Sequence, residues 1–411
     1  MSQTARTRFV ANLTAAFHAR DWTSKGLRES AALATGKRYR WASPLIKRLI
    51  AAFPEKPAFP VLLTFLNSDR GLSQVCAGMY GSDSREDYFP VRHLFFPPNT
   101  PSPRPSWANG LPDLPTPAAL AAWLNIAPGR LDWLADPSGR NRLHPTGPLR
   151  TYRYRWVPKR SGRARLLEIP TPLLKQTQRK LLDDLLNLVP THPAAHGFRP
   201  CRSAATNASS HCGRAVVIRF DLTDFFPSVI VGRVFALFRT LGYPTSVARL
   251  LAGLCTTRLP RAVWAARPNP AVDGSDHSTW QRFGARHLPQ GTPTSPTIAN
   301  LVAFRLDHRL TGLAANLDAT YTRYADDLTF SGGLDLGRCT KRLTALVALI
   351  AGEEGFTLNH RKTRVLRRGG QQMVTGVVVN ARPNLPRVEF DRLKAILTNC
   401  VRHGPAAQNR E

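Results

Sequence analysis

Tyr321-Thr-Arg-Tyr-Ala-Asp-Asp-Leu-Thr-Phe330 places two adjacent carboxylates, Asp326 and Asp327, between two short β-favouring runs. Tyr, Thr, Leu and Phe suit a pleated, half-buried surface, and an Asp pair suits a turn. The stretch therefore predicts a β-hairpin with acids at its tip. A third acid, Asp221, closes the apolar run Ala215-Val-Val-Ile-Arg-Phe220, which predicts a buried strand. Carboxylates at the ends of two neighbouring strands can hold two Mg²⁺ ions roughly 3.5–4 Å apart, the clamp used for in-line phosphoryl displacement. Mg²⁺ prefers oxygen ligands and keeps water and substrate phosphates as the remainder. A lone Asp-Asp pair is ordinarily only a turn or a helix cap. Its meaning depends on the segments around it.

Composition narrows the partners. Lys and Arg number 57 against 27 acids, a formal charge of +30. Such a surplus is an electrostatic footprint for nucleic acid, with salt-sensitive binding as its signature. No run of about 18 apolar residues predicts a membrane span. The six cysteines include no Cys-x-x-Cys pair, which argues against a zinc module. They read as reduced thiols in a cytoplasmic protein. The Arg-rich N-terminus resembles a transit peptide only in the bias that any nucleic-acid-binding chain shows.

A length of 411 residues predicts two or three domains. Residues 1–110 predict a mainly helical N-terminal extension. Within it Ser43 reads as an N-cap with Pro44 just inside the helix. The extension ends in Phe96-Pro-Pro-Asn-Thr-Pro-Ser-Pro-Arg-Pro-Ser106, where prolines remove donors and fix φ. Residues 111–150 form a helical lead-in with two short helices, Pro117–Leu124 and Pro128–Leu134. They read as a packing element rather than a DNA-reading pair. From 151 to 385 strands and helices interleave, which predicts an α+β unit with helices on one face of a sheet. Predicted elements are a hairpin over Tyr152–Ile169, a helix Leu173–Leu188, a helix near Val231–Leu241, a helix Cys339–Gly355 and a strand Met373–Val379. A last helix, Val388–Val401, lies in the segment 386–411.

Further segments stand in one order around the Asp pair. They are Val157-Pro-Lys-Arg-Ser-Gly-Arg-Ala-Arg165, Ile169-Pro-Thr-Pro-Leu-Leu-Lys-Gln-Thr-Gln-Arg179 and His196-Gly-Phe-Arg-Pro200. Then come Phe220-Asp-Leu-Thr-Asp-Phe-Phe-Pro-Ser228, Leu288-Pro-Gln-Gly-Thr-Pro-Thr-Ser-Pro296 and, after the hairpin, Gly355-Phe-Thr-Leu-Asn-His-Arg-Lys-Thr363. From about Tyr152 to Asn380 the chain resembles a bacterial reverse transcriptase of the retron type. Two marks of retron enzymes are present, Asn207-Ala-Ser-Ser-His211 and Val374-Thr375-Gly376.

The resemblance implies a right-hand polymerase fold with fingers and palm, followed by a short or truncated α-helical thumb beginning at 386. It implies that Asp221, Asp326 and Asp327 are catalytic and hold two Mg²⁺ ions, with Lys362 as the proton donor to leaving pyrophosphate. Lys159 and Arg165 resemble the fingers residues that clamp the triphosphate. Asp224 takes a substrate-sugar or capping role. Phe226, five residues beyond Asp221, takes the place of the aromatic ring that excludes a 2′-hydroxyl. Gln290 and Gly291 match the loop touching incoming nucleotide and template. Asn207, His211, Val374, Thr375 and Gly376 are tied to recognition of a cognate structured RNA.

The implied activity is that of an RNA-directed DNA polymerase priming from a 2′-hydroxyl of an internal guanosine. It copies part of a structured non-coding RNA into a short branched RNA-linked DNA (msDNA), in antiphage defence. The implied partners are that RNA, its DNA product, deoxynucleoside triphosphates and an effector protein, with no membrane. Alternatives are a group II intron-like or abortive-infection reverse transcriptase, and a catalytically idle RNA-binding protein. All three acids being present argues against the last.

Overall fold

The computed structural model of the chain describes residues 3–36, 38–78, 105–108, 110–137, 139, 147, 150–158, 164–268 and 277–409. In chain order the first helices are α1 (Gln3–His18), α2 (Ser24–Thr35), α3 (Ala42–Ala52), α4 (Phe59–Ser68), α5 (Arg70–Gly78), α6 (Pro117–Leu124) and α7 (Pro128–Ala135). The hairpin β1 (Tyr152–Pro158) and β2 (Ala164–Pro170) follows, then α8 (Pro172–Asp184), α9 (Ala204–Ser209) and β3 (Val216–Asp221). Next are α10 (Val231–Thr240), α11 (Thr245–Cys255), α12 (Arg261–Ala265), α13 (His277–Gly284), α14 (Ser295–Val302) and α15 (Phe304–Ala315). The chain closes with β4 (Ala319–Tyr324), β5 (Asp327–Gly332), α16 (Leu334–Arg338), α17 (Thr340–Glu353), β6 (Arg364–Arg367), β7 (Met373–Val374), β8 (Val377–Val378) and α18 (Arg387–His403).

Two compact units emerge, Met1–His144 with Phe235–Leu254, and Pro145–Val234 with Cys255–Glu411. In the first, α1 to α5 close a core in which Phe9, Leu13, Phe17, Leu27, Ile46, Leu49, Leu62 and Leu66 lose almost all exposure. The ends of α2 follow capping chemistry. Thr23 accepts a hydrogen bond from the Gly26 amide, and Gly36 closes the helix at φ 80°. The expectation of Ser43 as N-cap is corrected: α3 starts at Ala42, and Trp41 precedes it with no side-chain cap. The Trp41 ring sits edge-on against Phe9, 6.1 Å away, and so ties the start of that helix to the core. Leu120, Leu124, Leu131 and Leu134 of α6 and α7 are buried, as a packing element requires.

The second unit is built on an antiparallel sheet in the order β4-β5-β3-β6. Val216, Val217, Ile218 and Phe220 of β3 are all buried, and the Phe220 ring meets Phe330 edge-on at 5.9 Å. Burying each such side chain contributes about 1.5–3 kcal/mol. Helix α15 packs along β4, and α16 packs against β3 and β5. The outer edge of β4 is covered where the Arg323 amide donates to the Ala194 carbonyl (2.8 Å) and the His196 amide donates to the Arg323 carbonyl (2.8 Å). Strand Met373–Val379 is corrected to a tight hairpin. Thr375 and Gly376 form its two-residue loop at φ 47° and 84°, the positive values such a turn needs. The helix expected over Leu173–Leu188 ends at Asp184 and continues as a short 3₁₀ turn. Strand β6 carried no usable signal, since it reads Arg-Val-Leu-Arg, with charges at both ends.

Candidate active site

Antiparallel register sets Asp221, the last residue of β3, opposite Asp327, the first of β5. Asp326 occupies the turn between β4 and β5, and its carbonyl accepts the Leu222 amide at 2.9 Å. Ala325 holds φ at 58° just before it. Gly197 lies so close that a Cβ there would stand 2.7 Å from the Ala325 nitrogen, which explains a glycine in His196-Gly-Phe. Two strands and one turn thus bring the three acids of the sequence together at one end of the sheet.

Cations balance the acids. The Lys362 ammonium donates to both Asp221 carboxylate oxygens at 2.9 and 2.8 Å. Arg219 reaches Asp327 Oδ2 at 3.4 Å and the Met373 carbonyl at 3.4 Å. Arg219, Phe220, Asp221, Asp327, Lys362 and Arg364 line a cavity of about 280 Å³. Burial, then the charges of Asp221 and Asp327, hold the Asp326 carboxyl above the ordinary carboxylate range. Burial also raises Asp327, with Arg219 opposing and Asp221 adding to the rise. Asp326 is therefore a carboxylate whose negative neighbours outweigh its cations, and a hard divalent cation relieves that imbalance. Among the described residues, no three His, Cys, Asp or Glu side chains close into a finished metal cage. The donor set fits a cation that keeps water and phosphate ligands.

Beneath the turn lies a buried network that sequence reading missed. Arg323 has no exposed surface. Its guanidinium grips Asp307 of α15 through Nε and Nη2 at 2.8 and 2.6 Å. Its Nη1 donates to Asn300 Oδ1 on α14 at 2.9 Å and to the Ala325 carbonyl at 3.0 Å. Asn300 in turn donates to the Gly197 carbonyl at 2.8 Å.

The residues assigned to nucleotide binding are distributed as follows. Phe226 is half-buried, its ring 5.6 Å from Phe225 and 6.1 Å from the exposed Phe198. Phe198 also faces Tyr324 at 6.4 Å, so an aromatic shelf flanks the acids. Asp224 caps no helix, since α10 begins only at Val231. It holds φ at 47° and pairs with Arg282 at 3.0 Å. Gln290 and Gly291 are fixed to β2. The Glu168 amide donates to the Gln290 carbonyl at 2.8 Å, and Gly291 adopts φ 117°, closed to ordinary side chains. Glu168 itself is fully buried against His287, 3.2 Å away. Arg165 is exposed on β2, and Lys159 lies outside the described residues.

The expectation that Asn207 and His211 face RNA together is corrected. Both are fully buried. The His211 imidazole bridges Ser331 Oγ on β5 and Thr322 Oγ1 on β4, each at 2.7 Å. The Asn207 amide has neither atom paired among the described residues. The two sequence marks do meet. Val374 packs with Ala208, and Thr375 Oγ1 donates to the Ala204 carbonyl at 3.0 Å. Arg219 was readable in principle, because alternation along β3 sets it on the face of Asp221. Arg364, its partner across to β6, was not.

A sequence model described as reverse transcriptase (RNA-dependent DNA polymerase) matches residues 157–383. The retron Mx65 reverse transcriptase of Myxococcus xanthus is 45% identical over 288 residues, which cover 70% of this chain and 64% of that one. The retron Mx162 reverse transcriptase of the same organism is 39% identical over 316 residues, 73% and 62% of the two chains. The retron Ec86 reverse transcriptase of Escherichia coli is 30% identical over 247 residues, 59% and 68%. The chain spans a little under two thirds of the length of the two Myxococcus relatives. Among the described residues, no helix is long and apolar enough to cross a membrane.

Proposed function

We propose that this chain, which belongs to the reverse transcriptase (RNA-dependent DNA polymerase) family, is the RNA-directed DNA polymerase of a retron. The observation that carries the reading is the pairing of Asp221 with Asp327 beside the Asp326 turn. The resemblance to retron enzymes supports a structured non-coding RNA as template and primer, a branched RNA-linked DNA as product, and a role in antiphage defence beside an effector protein.

Asp221, Asp326 and Asp327 hold two Mg²⁺ ions in this reading. A divalent cation held by these carboxylates would supply Lewis-acid stabilisation of the charge that develops in phosphoryl transfer. The protein supplies position and proton traffic. Lys362, which shares the cavity with Asp221 and Asp327, is the proton donor to pyrophosphate in this reading. Arg219 and Arg364 add positive charge where the triphosphate gathers negative charge. Arg165, with Lys159, clamps the triphosphate, and Gln290 and Gly291 border the nucleotide and template. Asp224, held by Arg282, lies on the sugar side, where the Phe226 ring closes the space a 2′-hydroxyl needs. The turn Val374–Gly376 and helix α9 form one RNA-recognition surface, with Asn207 and His211 as its internal support.

The test is Asp326→Asn and Asp327→Asn. Each amide keeps shape and loses the charge that holds the metal. Primer extension with Mg²⁺ is expected to fall below detection while RNA binding persists. Substantial extension by both variants refutes the assignment.

A further inference from the structure

We propose that the first unit carries a second nucleic-acid site, a cleft between α2 and the start of α3 that binds a single-stranded segment. The cleft measures about 450 Å³, and its lining includes Lys25, Arg28, Glu29, Arg38, Tyr39 and Trp41. That volume lies in the range of sites for one nucleotide-sized group, roughly 300–1,000 Å³. Lys25 and Arg28 stand one helical turn apart on α2 and are exposed, as is Arg38. Tyr39 and Trp41 are half-buried, with rings 6.0 Å apart and planes 28° from parallel. Trp41 is wedged against Phe9 of the core, so the stack is held in place before any ligand arrives.

Each part suits a nucleotide in a strand. Every base has a π-face, so a fixed aromatic stack accepts bases of any identity, at about 1–3 kcal/mol per base. The arginine fork matches phosphate oxygens two at a time. Glu29 would be out of place in a site for a bare anion, but its carboxylate can accept from an amino group on a base edge. Residues 1–78 carry twelve Lys and Arg against four Asp and Glu, so the unit attracts a polyanion as a whole. A merely solvated basic face explains those charges, but not a stacked aromatic pair set in a cleft among them. None of these residues belongs to the catalytic unit, and the inference goes beyond the polymerase reading.

The experiment uses the full chain and a short oligouridylate bearing 5-iodouridine, with saturating annealed primer–template to fill the polymerase site. Irradiation is expected to label Tyr39 or Trp41. The double variant Arg28→Glu/Arg38→Glu should cut labelling and affinity about ten-fold or more. Its extension of the annealed primer should stay within about two-fold, because these side chains are exposed and outside the catalytic unit. Tyr39→Leu, which keeps bulk and removes stacking, should weaken labelling of Trp41 as well. Labelling that survives in Asp326→Asn while extension ceases separates this site from the polymerase reading. Competition by oligothymidylate reports whether the site takes DNA as well as RNA. Labelling confined to other residues, or unchanged by the arginine substitutions, overturns the proposal. So does uridine monophosphate competing as well as the strand.

Discussion

Arg323 carries its charge with no exposed surface, and its ion-pair partner, Asp307, is buried with it. Removing one partner of such a pair costs about 3–5 kcal/mol, because the other charge stays behind. Arg323→Met should lower the denaturation free energy by that amount in urea unfolding. The double variant Arg323→Met/Asp307→Leu should recover much of it. If the single variant unfolds like the parent protein, the pair does not brace the turn. Phe226→Ala belongs to the same scale. Losing the ring should raise ribonucleotide over deoxynucleotide incorporation, read as the ratio of kcat/KM values. An unchanged ratio returns Phe226 to packing alone. The acids were legible because the segments around Asp326 and Asp327 stand in one order, whereas the pair alone reads as a turn. Arg323 was not, because an arginine in a hairpin ordinarily points to solvent, and only the helices behind it reveal Asp307 and Asn300.

Strands β4 and β5 are tied by an imidazole as well as by their ladder. Burial first, then electrostatic repulsion from His196 and Arg214, push the His211 pKa down to about 3 from an ordinary 6.5. The folded chain therefore resists a proton that the unfolded chain accepts. The stability this contributes is complete above pH 6.5 and is lost progressively as pH falls from 6.5 towards 3. Burial and two arginines likewise push His196 to about 4, which steepens the loss in the same window. The raised carboxyls of Asp326 and Asp327 act in the opposite sense, since the folded chain takes up their protons more readily. The melting temperature should fall between pH 6.5 and 4.5. His211→Gln, which cannot charge, should melt lower at pH 7 yet show a shallower slope. Parallel slopes would count against the brace. The pattern Asn207–His211 was visible in the sequence, but its burial was not. Nothing in a pentapeptide says that Thr322 and Ser331, more than a hundred residues on, will supply the partners.

A formal charge of +30 acts over the whole molecule. Binding to annealed primer–template should weaken steeply with salt, each neutralised phosphate adding about 0.7–0.9 to the log–log slope. A slope of roughly −4 or steeper, from filter binding across KCl concentrations, is the expected result. A flat dependence would mean that the charge serves solubility instead. The α+β plan was legible because hydrophobic alternation and helical periodicity survive in the sheet unit. The division into two units was not, because residues 235–254 join the first unit from the middle of the chain.

That discontinuity has a consequence for synthesis on the ribosome. Helices α1 to α5 can close their core as soon as residue 78 has emerged. The rest of the unit has to wait. Gly253 packs where a Cβ would stand 2.3 Å from the Ala135 carbonyl, and the Tyr243 hydroxyl donates to the Pro112 carbonyl at 3.2 Å. At the usual 5–20 residues per second, α7 stays without these later residues for about 6–24 s. During that interval β1, β2 and β3 emerge ahead of the segment that completes the unit made first. The nascent chain must therefore keep its two halves from trapping one another. A gene shortened to start near residue 145 would leave Leu250 and Leu251 with no unit to join, and such a product should aggregate rather than polymerise.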